Sequence, residues 1–490
     1  MFDPDYSVLF NSHAWSDSED IIDLVEAVFN DLPLSTQEDL IGKSNNKGGM
    51  SVKDILRIVI VDQYSTWRTD PHLCTGFPRR ASDWQVNNRY NGQGVPRKIT
   101  KVVDALIATR YLRFKMGEST NAGDPNDQRS RIQPTKKLKD LFKKLDQDQI
   151  EVQAHHKKET VILRDENNAD IPYPDSAKTL RIKRVVDAYN AMMKRHHVDV
   201  ASLRKPVFIR EETDQKGTAR KEVIPIGPDY MFTYRIFSRG DTRFNKHGRW
   251  YGGFWLRLPK KGPDLRKDIY IDGEPTDEVD FSGLHPTLLA LKHGKYLKGD
   301  KYDLGYQLFD DVSLSEQRSV VKELVLIAIN SKTLSDAFGA YNRANKGQTL
   351  KHKELEKLLA AFIAKYPFLK ADLCSDKGID LMYIDSQITE AIIRRFVEDD
   401  KPILPIHDSY IVKQSDRLYL KQVMNDACNE VLGHTLSFES EFDEQSGYLA
   451  HATQYRLTDP DYYNSILNKR NTRVSKAYLT RYRLWLDRVR

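Results

Sequence analysis

The sequence predicts an α+β chain built around an antiparallel sheet, on three observations. Two short apolar runs, Glu278-Val279-Asp280-Phe281 and Pro405-Ile406-His407-Asp408-Ser409-Tyr410-Ile411-Val412, have strand composition, and each carries an aspartate at its edge. Stretches with apolar residues at helical spacing flank and separate them. At 490 residues the chain is too long for one ordinary core, so two to four structural units are expected.

Residues 1–42 form an acidic N-terminal segment, with ten Asp or Glu and no Lys or Arg. Within it, residues 20–29 have the spacing of an amphipathic helix docked on the body. The whole chain has a formal charge of +6, so the remaining 448 residues carry +16, which favours a polyanionic partner. Cys74, Cys374 and Cys428 are far apart and lack the paired spacing of a zinc site or a disulfide framework. No apolar run reaches the roughly 18 residues needed to span a membrane, and the first residues lack a signal-peptide pattern. A cytoplasmic protein without a membrane partner is the expectation.

Residues 43–150 have the pattern of a winged-helix-like DNA-binding unit. Ser51 caps a helix through Val52, Ile55, Leu56, Ile58 and Val59, and a polar loop with Pro71, Gly76 and Pro78 follows. A second helix begins near Pro96 and runs through Ile107. Residues 111–116 and 130–134 read as the two strands of a wing, joined by the turn-rich stretch 117–127. Such a helix entering a groove by its N-terminal end would present Arg97, Lys98 and Lys101 to phosphates or bases, with Arg131 on the wing. Residues 129–144 add seven Lys or Arg against one Asp.

Residues 151–235 read as a linker and small accessory region: a strand pair with its turn at Asp165-Glu166-Asn167-Asn168, then a helix over 179–194. Residues 236–455 hold the chemistry. Arg249 lies in an aromatic and glycine cluster, Gly248-Arg249-Trp250-Tyr251-Gly252-Gly253, ahead of a strand and tight turn over 266–275. Asp280 then ends a strand, and Ser282-Gly283-Leu284-His285-Pro286 turns into a helix. Arg318 and Lys322, four apart on a helix, share a face. Asp408 sits in a hairpin turn, backed by a helix over 418–432. Two carboxylates brought together can hold a pair of divalent cations about 4 Å apart, the arrangement that serves phosphoryl transfer. Residues 456–490 form a basic, aromatic tail. From Lys469 to Arg490 it carries eight Lys or Arg and one Asp, a pattern suited to gripping single strands or to packing Leu479, Tyr482 and Trp485 inward.

Asp280-Phe281-Ser282 with its following helix resembles motif A of the family A polymerases, the group of bacterial DNA polymerase I and the single-subunit phage RNA polymerases. Arg318-Ser319-Val320-Val321-Lys322 is similar to the Arg-x-x-x-Lys of motif B, and His407-Asp408-Ser409 to the His-Asp turn of motif C. Gln387 lies in a helix similar to the one that precedes motif C, and Arg249 is a looser match to a template-side arginine. The resemblance covers roughly residues 235–445.

It implies a right-hand polymerase with an antiparallel palm sheet and small fingers, most readily a compact DNA polymerase of a mobile element or phage. Asp280 and Asp408 would be the catalytic residues, binding two Mg²⁺, or Mn²⁺ in their place. Arg318 and Lys322 would hold the triphosphate, with His285 and Asn330 also facing the nucleotide. Arg249, Gln387 and His407 would contact the nucleic acid. The implied partners are DNA template and primer and nucleoside triphosphates. The chain departs from the family pattern at His285, where DNA polymerases carry Glu, and at Asn330, where an aromatic is usual, while Ser409 resembles the RNA polymerase branch. The bulk of His285 favours deoxynucleotides. With Asp408 only 128 positions after Asp280 and a reduced thumb-like region, low processivity is expected. A single-subunit RNA polymerase or primase, and a non-catalytic replication initiator with a degenerate polymerase scaffold, are the alternatives.

Overall fold

The computed structural model describes residues 2–42, 49–117, 129–213, 219–260, 264–346, 349–440 and 474–489. Its N-terminal unit comprises β1 (Ser7–Leu9), α1 (Glu19–Asn30), α2 (Leu34–Ile41), α3 (Val52–Thr69), β2 (Cys74–Phe77), α4 (Ile99–Ala108), β3 (Leu112–Lys115), β4 (Ser130–Pro134) and α5 (Lys136–Phe142). Ser51 starts α3 through a reciprocal capping box with Asp54, which satisfies two backbone donors at the helix end. The α3 stripe Ile55, Ile58 and Val59 shares a core with Ile21, Leu24 and Val28 of α1. The sheet order is β1-β2-β4-β3, with β1 parallel to β2 and the other pairs antiparallel. The acidic segment belongs to this unit: β1 is one of its strands, and its carboxylates pair with basic residues of later elements. These pairs are Glu26 with Lys53 (2.6 Å), Asp17 with Arg57 (2.7 Å) and Asp31 with Lys137 (2.6 Å). Of the stretch expected to join the wing strands, 118–127 lies outside the described residues.

The larger unit contains β5 (Val161–Leu163), α6 (Ala177–Met193), β6 (Val198–Val200), β7 (Val207–Thr213), β8 (Ala219–Pro225), β9 (Thr233–Phe237), β10 (His247–Gly252), β11 (Ile269–Ile271) and β12 (Glu274–Phe281). It continues with α7 (Leu284–Lys292), α8 (Leu314–Asn330), α9 (Leu334–Ala344), α10 (His352–Lys365), α11 (Gly378–Glu398), β13 (Leu404–Ile406), β14 (Ser409–Lys413), α12 (Arg417–Leu432), β15 (Phe438–Ser440) and α13 (Lys476–Val489). Its central sheet runs β13-β14-β12-β11-β6, antiparallel throughout, and β15 also pairs with β12. A second sheet has the order β10-β9-β5. The fold is α+β, as the sequence predicts.

The strand pair expected within 150–180 forms as a short hairpin on the expected turn: the Ile171 amide donates to the Leu163 carbonyl (2.9 Å), Arg164 bridges Asp170, and the Asp165 amide donates to the Ala169 carbonyl (3.0 Å). On its other edge β5 pairs in parallel with β9. Asp165 shapes the turn: its Oδ1 accepts from the amides of Asn167 and Ala169. Residues 151–235 also share one apolar core with the rest of the larger unit. Val161, Ile182, Tyr189 and Val198 are buried with Val279, Leu324, Ile388 and Tyr410.

The described part of the basic tail, residues 474–489, is docked through α13. Tyr478, Tyr482 and Trp485 stack and close on His197, the Tyr482 hydroxyl donates to the Asp272 carbonyl (2.7 Å), and Arg481 pairs with Asp199 (2.6 Å). Leu479, expected to face inward with Tyr482 and Trp485, is half exposed, and Tyr478 takes the buried place. Residues 456–473 and 490 lie outside the described residues. No described helix is long and apolar enough to cross a membrane.

Candidate active site

β12 alternates, burying Val279 and Phe281 while Glu278 and Asp280 take the other face. Asp280 stands opposite Ser409 on β14 and opposite Glu439 on β15. His407 and Asp408 form the two-residue turn between β13 and β14, with His407 at the left-handed φ of +57°. The Phe281 amide donates to the Asp408 carbonyl (3.1 Å), which binds the turn to the end of β12. Two aspartates 128 positions apart in sequence are thereby neighbours.

Their electrostatics show the strain of that placement. Burial first, then the Asp408 carboxylate, pushes the Asp280 carboxyl up to about 7, with Glu278 adding and Lys260 and Lys322 opposing. The Asp280 Oδ1 is buried without a hydrogen-bond partner among the described residues. An unpartnered carboxylate oxygen beside a second carboxylate is a donor set that suits a hard divalent cation, which takes oxygen ligands and keeps places for water and phosphate. No cluster of three or more His, Cys, Asp or Glu with metal-binding geometry occurs among the described residues.

α8 begins with a Ser313–Glu316 capping box and carries Arg318 and Lys322 one turn apart. Lys322 is exposed, with its Nζ 5.9 Å from the Tyr302 ring. Tyr302 is buried between these cations and the acids: burial, then the charges of Asp408 and Asp300, pushes its phenol up. Arg318 is ion-paired to Asp300. Lys301, also buried, donates to the Ser282 hydroxyl (3.0 Å) and the Ser437 hydroxyl (3.1 Å) beside the β12 end.

A second line of contacts comes from β10. Arg249 Nε donates to Asp385 Oδ2 of α11 (2.7 Å), and its Nη2 donates to Nε2 of His285, near the start of α7 (3.1 Å). Gly248 makes this possible. It has φ of +78°, and a Cβ there would meet the Ser386 hydroxyl at 2.7 Å and the Phe237 ring at 3.0 Å. Burial, with the Arg249 charge, pulls His285 down to about 3, so the imidazole is neutral. His407 is likewise pulled down to about 4 and lies 5.5 Å from the Tyr251 ring, its Nδ1 without a partner among the described residues.

The structure thus gathers Asp280, Asp408, Lys322, Arg249 and His285, with Arg318 held nearby by Asp300 and His407 in the turn itself. Other sequence-predicted residues lie differently. Asn330 ends α8, where its Nδ2 donates to the Leu326 carbonyl (2.7 Å) and its amide lies against Gly378 at the start of α11. Gln387 is half-buried on α11, two positions from Asp385 and so on nearly the opposite side of the helix. Arg97 is exposed and Lys98 half-buried at the start of α4, and Lys101 lies 3.8 Å from Asp39. Arg131 of β4 is turned onto backbone, donating to the carbonyls of Pro4 (3.0 Å) and Arg129 (2.5 Å).

Sequence reasoning missed Asp385, Tyr302 and Lys301. Asp385 left one signal: it is the lone acid in the helical stripe Leu381, Asp385, Ile388, Ile392, where an apolar residue is the rule.

No protein-family model matches the chain, and no curated protein matches it. Among solved structures it is similar to the POL domain of Pol1 from M. smegmatis, determined in complex with DNA primer-template and dNTP. The TM-score is 0.30 at 10% identity, over 54% of this chain and 50% of that one. The chain spans about half the length of that domain, and a likeness this slight carries no conclusion.

Proposed function

We propose that the chain is a nucleotidyltransferase that extends a nucleic-acid 3′ end, with DNA as template and deoxynucleoside triphosphates as its preferred substrate. The observation that carries the reading is the juxtaposition of Asp280 and Asp408 at adjoining strand ends, repelling each other, with Lys322 close enough to act on Asp280. A packing role offers no return for two carboxylates held together at a cost.

Asp280 and Asp408 are the residues that would hold divalent cations, Mg²⁺ or Mn²⁺, whose chemistry is to make the 3′-hydroxyl a better nucleophile and to neutralise triphosphate charge. In the reaction the 3′ oxygen bonds the α-phosphorus as the bond to the β-phosphate's bridging oxygen breaks, and the hydroxyl proton passes to water. Lys322, with Arg318 once released from Asp300, would neutralise the departing pyrophosphate. The neutral His285, fixed by Arg249, would face the sugar. In the N-terminal unit, the succession of α3, β2, α4, β3 and β4 with strand order β2-β4-β3 supports a winged-helix-like reading. There Arg97, Lys98 and Lys101 would meet the duplex. Arg131, taken up by backbone carbonyls, is a weaker candidate for that contact.

The test offers dNTPs or NTPs separately on primed, unprimed and single-stranded DNA. Primer extension with dNTPs supports the reading. Synthesis from NTPs on unprimed template replaces it with a primase or RNA polymerase. No product on any substrate leaves the N-terminal unit as a DNA-binding module on a non-catalytic scaffold.

A further inference from the structure

Asp385 lies in the buried stripe of α11, 1% exposed, where its neighbours along the helix are Leu381, Ile388 and Ile392. One carboxylate oxygen takes the Arg249 Nε–H at 2.7 Å, and the other, Oδ1, is buried without a partner among the described residues. Asp408 is close enough for its charge to act on the same carboxyl. A buried carboxylate with one oxygen unsatisfied and a second acid nearby is a poor device for stability alone, since desolvation outweighs much of what one arginine returns. The placement does achieve one thing. It fixes the guanidinium fork at its Nε edge, so that the Nη2 edge falls on His285 Nε2 at 3.1 Å. An imidazole nitrogen that accepts from arginine carries no proton, so the His285 proton sits on Nδ1, the edge left for a ligand.

We propose that Asp385 is a positioning residue for sugar selection: by holding Arg249 it fixes the orientation and tautomer of His285, and so sets how strictly the chain discriminates deoxyribose from ribose. The inference rests on the nucleotidyl-transfer reading above and names a residue on which its specificity depends.

The experiment is single-nucleotide incorporation, measuring kcat/KM for a dNTP and the matching NTP with the full chain. The variants are Asp385→Ala, Asp385→Asn, His285→Ala and the double variant His285→Ala/Asp385→Ala. Asp385→Ala is expected to lower the deoxy-to-ribo ratio by about tenfold, as His285→Ala does, and the double variant to go no lower than His285→Ala alone. Asp385→Asn, which keeps the shape and one acceptor for Arg249, is expected to retain part of the ratio and guards against an Asp385→Ala chain that fails to fold. An unchanged ratio in both Asp385 variants, or effects that multiply in the double variant, overturns the inference while leaving an active enzyme. A wild-type chain that incorporates neither nucleotide overturns the nucleotidyl-transfer reading and the selection role together.

Discussion

The Phe281 amide donates to the Asp408 carbonyl, and that hydrogen bond joins the end of one strand to the hairpin turn of its neighbour, setting Asp280 and Asp408 side by side. Nothing in either segment alone requires the pairing. It follows from the antiparallel register that opposes Asp280 to Ser409. The repulsion it creates is measurable in several ways.

Stability should depend on pH through Asp280. Its carboxyl ordinarily titrates at 3.8 and in the fold is raised to about 7. At pH 3 and below both folded and unfolded chains hold the proton. As pH rises toward 7 the unfolded chain gives it up first, so the stability it confers is lost progressively across that window. Asp280→Asn should therefore match wild type near pH 3 and exceed it by ~2 kcal/mol or more at pH 7.5, in urea unfolding with chelator present. An equal difference at both pH values contradicts the coupling.

Divalent cations should reverse that penalty. Millimolar Mg²⁺ at pH 7.5 is expected to raise the melting temperature of wild type by a few degrees, on the order of 1–2 kcal/mol by mass action, and to leave Asp408→Asn unmoved. A shift of the same size in Asp408→Asn places the cation elsewhere.

The two α8 cations should differ. Lys322→Ala is expected to lower kcat/KM for the nucleotide by about a hundredfold, as loss of a donor aimed at developing charge does. Arg318 starts in an ion pair with Asp300. Asp300→Asn should therefore lower KM roughly two- to fivefold, the scale of an exposed ion pair released for phosphate. Steady-state kinetics with varied nucleotide checks both, and a raised KM in Asp300→Asn contradicts the competition.

Gly248→Ala should be severe for a surface-sized change. Its φ of +78° strains any side chain, and the new Cβ would press on Ser386 and Phe237. A loss of about 1–3 kcal/mol is expected in thermal or urea unfolding. Because Arg249 is the next residue, kcat should fall as well; a variant of wild-type stability contradicts the close approach of β10 to α11.

The legible parts of the site were those whose signal is local. Asp280 ends an alternating strand before a glycine turn, Asp408 sits in a hairpin between apolar flanks, and Arg318 and Lys322 fall four apart on one helix. What escaped depends on distant partners. Asp385 acquires meaning only from Arg249, 136 positions away, and β6 reads as nothing until it becomes the edge of the central sheet beside β11. The turn at Asp165 that follows β5 is local and closes where expected, whereas the parallel pairing of β5 with the remote β9 leaves no local signal. The aromatic face of α13 fits single-strand stacking or packing equally well in sequence. His197 decides for packing by offering a surface that Tyr478, Tyr482 and Trp485 close upon.

The decisive measurement is single-turnover extension of a labelled primer on a DNA template in Mg²⁺, with wild type, Asp280→Asn and Asp408→Asn side by side. Wild type is expected to extend the primer, and each variant to lose about a thousandfold or more in rate with folding retained. Extension that survives both substitutions, or its absence from wild type, contradicts the paired aspartates as the centre of the chemistry.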